Sequence, residues 1–442
     1  MFEKILFAIY LLGMITIIFK ASFFNLKDIS RFNLSLIFIT KIIVGFILLY
    51  YYQTFENHKL TSDFQVFYFQ AEKLFNQFNN SPSELIKIII NAKSDSILIN
   101  KQLSNLHYWN RDFDYGIIND NQTMIRINLL FLFISNNYYP IHLLFFSFIG
   151  FIGITCLIKT LLLYRQRINR LFINIIYLTP TSLIWTSGML KETILIGILG
   201  IIIYLSNSIL LANSKRKWLI YLLLIISCYL SIYIKPIFIL LTIPSFIFLL
   251  ISTYQTKITP VKLSVVVNIS LASLLILVIG FTHTNDKTIE KDNVKYGNNF
   301  DLMRIIAYKQ DDFFYEAKHK KATSITELNK LDGSIKSLIF TLPDAFQNTF
   351  LKPSIFDMQN KKYWPFIIEN SFLLVFIISL IKKRDELQWN NPITLFFISL
   401  TFTIGLFLGL LNPILGTLLR FKSIVYLFLF SGLISTLPNK KV

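Results

Sequence analysis

Charge is what this chain has least of for its size. Only 15% of its 442 residues are Asp, Glu, Lys or Arg, whereas 54% are hydrophobic, and the mean hydropathy is +0.56. So little polar surface excludes an ordinary soluble globular protein. Cysteine is nearly absent as well. The two cysteines, Cys156 and Cys228, both fall inside apolar runs, so they read as packing residues rather than as a disulfide or a metal site. The five histidines show no metal-ligand spacing. No cleavable signal peptide is expected, because the first apolar run ends at Lys20 without a small-residue cleavage site and further runs follow it.

What the chain has in quantity is long apolar runs. Segments of roughly 17 to 25 residues, enough to cross about 30 Å of hydrocarbon, recur at 4–20, 34–53, 140–163, 171–187, 193–211, 218–234, 237–252, 263–281, 366–381, 392–411 and 422–436. The expected fold is therefore an all-α polytopic membrane protein with about eleven transmembrane helices in a single membrane domain, 1–442.

The net charge of +18 would suggest nucleic acid in a soluble protein, so its distribution decides the matter. The short segments 20–33, 159–170, 212–217, 253–262, 382–391 and 437–442 would share one side of the membrane. They hold seventeen basic and three acidic residues, which is fourteen of the eighteen net charges. That is the positive-inside pattern and not a nucleic-acid patch. It predicts a multi-pass protein of the inner (cytoplasmic) membrane with a cytoplasmic C-terminus, and an outward N-terminus if the eleven spans hold.

Two long loops then face outward. The first, 54–125, is nearly neutral: up to Arg126 it carries eight acidic and seven basic residues. The second, 282–365, carries thirteen basic and eleven acidic residues. Loops of this length usually cap a cavity. In the first, SPSELIKIIINAKSDSILINKQL suits a short interfacial helix, with an amphipathic helix packed on the loop's own core as the plainer reading. Residues 126–136, RINLLFLFISN, are too short to span and are expected to re-enter or lie on the surface.

The stretch LTPTSLIWTSGMLKETILIG, 178–197, interrupts the apolar pattern and is expected at an outward turn between two helices. Pro180 kinks or breaks the first helix, Ser187-Gly188 makes the turn, and Lys191 and Glu192 fall in the first turn of the second. Glu192 suits the positive helix end and Lys191 opposes it. A cation there is understandable if an anion such as a phosphate is expected beside it; a solvated loop tip is the plain alternative. NPILGTLLRFKS, 412–423, is expected in another outward connection. There Arg420 offers a planar fork for phosphate or carboxylate, Lys422 lies close by, and snorkelling to lipid headgroups competes as an explanation. Lys235, before Pro236, is a third outward cation. Asp63, in the aromatic surroundings of LTSDFQVFYF, could take a proton from an acceptor or cap a helix. Arg111, Asp112 and Asp114 in YWNRDFDYG are alternatives. Trp185 and Arg126 complete the candidate substrate-binding set.

The acidic residue near the start of the first large loop, the NNYYPIHLLFFSFIGFIGI span and the LTPTSLIWTSGMLKE hairpin together resemble the GT-C superfamily of membrane glycosyltransferases. PTSLIWTSGMLKE and NPILGTLLRFK are equally similar to bacterial O-antigen and exopolysaccharide polymerase-like membrane proteins. The resemblance implies a polyprenyl-linked saccharide donor, a glycan or lipid-linked acceptor, membrane lipids as surroundings, and no nucleic acid. It gives Asp63 the role of acceptor-activating base and sets Lys191, Arg420, Lys235 and Lys422 on the carrier phosphate; Glu192 is a further candidate catalytic carboxylate. The chain departs from many GT-C members in having no second acidic residue close behind Asp63. No cofactor or metal is demanded, because cations can stabilise a departing phosphate without one. A transporter of polar solutes and a non-catalytic scaffold of an envelope assembly are the alternatives. Charged residues are expected at span ends, which disfavours transport.

Overall fold

Close approach of two apolar helices needs small side chains where they cross, because neither lipid nor solvent drives them together. In the computed structural model of this chain, that crossing is made by Tyr139–Tyr164 and Lys191–Leu211. A methyl group at Gly153 would overlap the backbone at Ile196 and Gly197, and one at Gly200 would overlap the backbone of Gly153. The structure describes residues 1–54, 63–78, 81–90, 101, 103–106, 108–109, 119–211, 217–254, 289–291, 294–296, 302–319, 322, 324–389 and 391–438.

In chain order the helices are α1 (Phe2–Lys20), α2 (Arg31–Thr54), α3 (Asp63–Phe78), α4 (Pro82–Ile89), α5 (Asp120–Ser135), α6 (Tyr139–Tyr164), α7 (Arg170–Leu178), α8 (Pro180–Trp185), α9 (Lys191–Leu211), α10 (Lys217–Ile234) and α11 (Pro236–Tyr254). They continue with α12 (Leu302–His319), α13 (Ile335–Phe346), α14 (Trp364–Lys382), α15 (Pro392–Leu411) and α16 (Leu415–Thr436). Among the described residues, β1 (Ile289–Lys291) pairs antiparallel with β2 (Val294–Tyr296).

Among the described residues, seven segments are long and apolar enough to cross a membrane: α1, α2, α6, α9, Lys361–Lys382 (α14 and the turn before it), α15 and α16. This is compatible with a multi-pass membrane protein. The expected eleven differ for identifiable reasons. Segment 171–187 is interrupted at Pro180, whose ring and missing N–H end one helix and start the next, leaving pieces of nine and six residues. The runs 218–234 and 237–252 form α10 and α11, helices of 18 and 19 residues, of which Trp218–Ile234 and Pro236–Ile247 count among the shorter apolar helices of the described residues. Segment 263–281 lies outside the described residues. Residues 126–135 belong to the sixteen-residue α5.

The chain divides into two units, Met1–Leu178 with Leu183–Ile239, and Thr179–Ser182 with Leu240–Val442. In the first, α6 and α9 form the centre and α2 packs on α6. The amphipathic α3 rests on α5 and buries Phe64, Phe67, Ala71, Leu74 and Phe78 at helical spacing. Asn119 starts α5 by accepting from the backbone N–H groups of Asn121 and Gln122. Asn136 and Asn137, both in left-handed conformation, end it before Pro140 opens α6.

In the second unit, α15 and α16 pair along their length. Both are almost wholly buried, as helices at the centre of a bundle must be. Thr349 donates to the Gly405 carbonyl at 2.9 Å. Thr326 N–H donates to the Pro413 carbonyl at 2.7 Å and Leu415 N–H to that of Ser324 at 2.9 Å, which pins the turn between the two helices. Gln310 completes the arrangement, donating to the Leu410 carbonyl at 2.8 Å and accepting from Leu331 N–H at 2.8 Å.

If the α6–α9 crossing holds the first unit together, Gly153→Val lowers stability by about 1–3 kcal/mol through overpacking. Gly13→Val in α1, where an added carbon meets nothing within 4 Å, stays within about 0.5 kcal/mol. Thermal unfolding of the two detergent-solubilised variants checks this, and equal melting points would contradict it.

Candidate functional site

The turn 186–190 between α8 and α9 is the focus of polar side chains in the first unit. At Gly188 the Phe64 ring comes up to the backbone; a methyl group there would overlap the ring. Thr193, in the first turn of α9, donates to the carbonyls of Gly188 at 2.8 Å and Trp185 at 3.1 Å. Phe64 follows Asp63, the first residue of α3, and the Tyr139 hydroxyl donates to the Phe64 carbonyl at 2.9 Å. The N-terminal end of α3 is thereby held against the turn that leads into Lys191.

Lys191 and Glu192 open α9 as the sequence predicts, but each meets a partner from within the chain. Lys191 Nζ donates to Asp120 Oδ2 at 2.7 Å and to Asn121 Oδ1 at 2.5 Å, and it lies 5.2 Å from the centroid of the Phe67 ring. The anion beside this cation is thus Asp120, at the first turn of α5. Glu192, fully buried, has Lys235 Nζ at 3.8 Å. Two cations and two carboxylates therefore stand at one end of a membrane-length helix. Arg126 contributes from α5: it lies over the Trp109 ring at 5.1 Å and donates through Nε to the Ile88 carbonyl at 2.9 Å. Burial lowers its pKa. Nearby in the same unit, burial and then the Glu72 carboxylate raise the pKa of Tyr68, whose hydroxyl donates to the Asn137 carbonyl at 2.7 Å.

A further participant was not singled out in the sequence. Lys41 sits in the middle of α2, fully buried, and donates to the Thr186 hydroxyl in the same turn. One helical turn on, Gly45 lies against the Ser187 carbonyl. This corrects the expectation that charge gathers at span ends. The averaged hydropathy of α2, 2.3 over its window, is high enough to hide one lysine. His142 is likewise buried, between Ser135 and Asn128 at 2.9 Å each.

The second unit holds a separate group. Glu369, in α14, accepts from Thr181 N–H at 2.8 Å and from its hydroxyl at 2.6 Å. Lys422 is 1% exposed and donates to the Lys352 carbonyl. Tyr426 donates to Asn370 Oδ1 at 2.7 Å, and Asn370 donates to the Pro353 carbonyl at 2.8 Å. The sequence put Lys422 and Arg420 in a loop; both lie inside α16, which begins at Leu415. Lys422 is turned to a backbone carbonyl, so headgroup snorkelling does not describe it. Arg420 lies 5.7 Å from the Phe421 ring centroid.

Of the predicted residues, Lys191, Glu192 and Lys235 come together, with Asp63 and Trp185 on the elements that flank the same turn. Arg126 lies on the α5 helix that supplies Asp120. Arg111, Asp112 and Asp114 lie outside the described residues. Asp120, Asn121, Lys41, Glu369 and Thr181 were not singled out beforehand. Asp120 carried a readable signal, since NDN before an apolar run marks a helix start. No family model, no curated protein and no solved structure matches the chain.

Because the pair is largely buried, with side chains 7% and 15% exposed, Lys191→Ala alone should cost about 3–5 kcal/mol by leaving the Asp120 charge without this lysine. Lys191→Met combined with Asp120→Asn should recover most of that loss. A double-mutant cycle on thermal stability measures the coupling, and additive effects would contradict the pairing.

Proposed function

We propose that this chain is a glycosyltransferase of the inner (cytoplasmic) membrane that transfers or polymerises sugars from a polyprenyl-phosphate-linked donor in cell-surface polysaccharide or glycoconjugate synthesis. The observation that carries the reading is the pairing of Lys191 with Asp120 and of Lys235 with Glu192 at one end of α9, beside the helix that begins at Asp63. A lipid-linked phosphate presents its charge at the membrane surface and its chain to the bilayer. On arrival, such a phosphate exchanges for a carboxylate as the lysines' partner, so the cluster can open for substrate without stranding its cations.

In the reaction, Asp63 takes the proton of the acceptor hydroxyl as the acceptor oxygen bonds to the anomeric carbon. The bond from that carbon to the phosphate oxygen breaks, and the electron pair leaves with the phosphate. Lys191 and Lys235 stabilise the charge that develops there. Arg420 and Lys422 belong to the other unit and serve the reading in which repeat units on a pyrophosphate carrier are joined.

Lys41 supports a second reading. A buried cation in the middle of a membrane-length helix is a feature of pathways for polar solutes, so a transporter remains the competing function.

Cells carrying Asp63→Asn, Lys191→Ala or Arg420→Ala, with membrane levels matched, separate these readings by their glycan-length and lipid-linked-intermediate profiles. Loss of one sugar with Asp63→Asn is expected for single-sugar transfer. Accumulated single repeat units with Arg420→Ala and a normal Asp63→Asn profile indicate polymerisation. An unchanged profile in all three contradicts glycan synthesis and turns attention to transport.

A further inference from the structure

Away from this cluster, the first unit has a cavity of about 170 Å³ lined by Asn25, Leu26, Lys27, Lys159, Leu162, Leu163, Gln166 and Tyr204. Its position follows from the fold. Asn25 to Lys27 belong to the connection between the membrane-length helices α1 and α2, while Leu162 and Leu163 are at the C-terminal end of α6, so the cavity opens where these helices leave the apolar layer. Its lining divides by chemistry: two lysines, two amides and a phenol on one hand, three leucines on the other, and no carboxylate.

Lys159 is held for use rather than consumed. Its Nζ donates to the Phe23 carbonyl at 3.0 Å and sits 4.7 Å and 5.5 Å from the Phe23 and Tyr204 ring centroids. An ammonium has three donors, so this carbonyl takes one and leaves two for another acceptor. Lys27 is exposed, and among the described residues neither lysine forms an ion pair. The adjacent acid, Asp28, accepts from Ile168 N–H at 2.8 Å, and it ties down the segment after α6 instead of lining the cavity.

We propose that this cavity binds a phosphate anion carried on the headgroup of an anionic phospholipid, with Lys159 and Lys27 on the phosphate and the first acyl carbons along Leu162 and Leu163. The volume is below the roughly 300 Å³ of a site that encloses a whole small molecule, which suits a headgroup whose tails stay in the bilayer. Basic pockets between membrane helices take headgroups by this combination of charge and apolar wall. A site for phosphate alone would have no use for the leucines, and this sets the lipid ahead of the free ion.

The test uses the full chain purified in mild detergent, titrated with short-chain phosphatidylglycerol, short-chain phosphatidylcholine or inorganic phosphate and followed by native mass spectrometry and thermal shift. Phosphatidylglycerol should bind in preference to phosphatidylcholine. Lys27→Ala should weaken it about fivefold, as loss of one lysine at a membrane surface does, without moving the melting point of the unliganded protein. Lys159→Gln should weaken it too, and the exposed pair Lys382→Ala/Lys383→Ala should not. Inorganic phosphate binding with the same dependence on Lys27 would keep the anion site and assign it to the free ion. Equal binding of the two lipids, no effect of Lys27→Ala, or an equal loss in the Lys382/Lys383 control would overturn the proposal.

Discussion

A charge placed among apolar helices must be compensated inside the protein, because the surrounding hydrocarbon offers neither water nor counterions. The polar architecture of this chain follows from that constraint. Lys191 is compensated by Asp120 and Asn121, Glu192 has Lys235, and Glu369 takes both donors of Thr181. Lys41 and Lys422 each donate to a neutral oxygen, the Thr186 hydroxyl and the Lys352 carbonyl. Buried pairs of this kind contribute little to net stability compared with apolar replacements. Their retention in a chain with so few charges is therefore better explained by what they do than by what they hold together.

Packing puts these groups where they are. Glycines at 153, 197 and 200 let α6 and α9 approach until backbones touch, Gly45 lets α2 reach the Ser187 carbonyl, and Gly188 receives the Phe64 ring. The start of α9, the middle of α2 and the first turn of α3 thus meet around one five-residue turn. A substitution that separates the helices by one methyl group disturbs the ionic partners as well as the packing, so fold and candidate site are coupled through the same contacts.

The helical, membrane-type architecture was legible because apolar runs and their charged flanks are strong, additive signals. So was the turn at Ser187-Gly188 with Lys191 and Glu192 just beyond it, since Pro180 and the Ser-Gly pair leave few local options. Span lengths were less legible: 171–187 reads as one apolar run, yet the proline ring divides it. Lys41 escaped notice because one cation barely changes an average over eighteen neighbours. Arg420 and Lys422 were misplaced in a loop because a cation ordinarily shuns a buried helix, and the Lys352 carbonyl, seventy residues away in sequence, helps to make that position tolerable for Lys422. Asp120 opposite Lys191 is likewise a tertiary fact, invisible to any local pattern.

The central claim is that the ionic cluster at the start of α9 exchanges a carboxylate for the phosphate of a lipid carrier. Its most direct measurement is the equilibrium binding of a polyprenyl monophosphate to the purified chain in lipid nanodiscs, for the wild type and for Lys235→Ala. The account predicts saturable binding that is weakened about tenfold by the substitution, in line with the loss of one charged hydrogen bond. Absence of saturable binding, or the same affinity in both proteins, would contradict it.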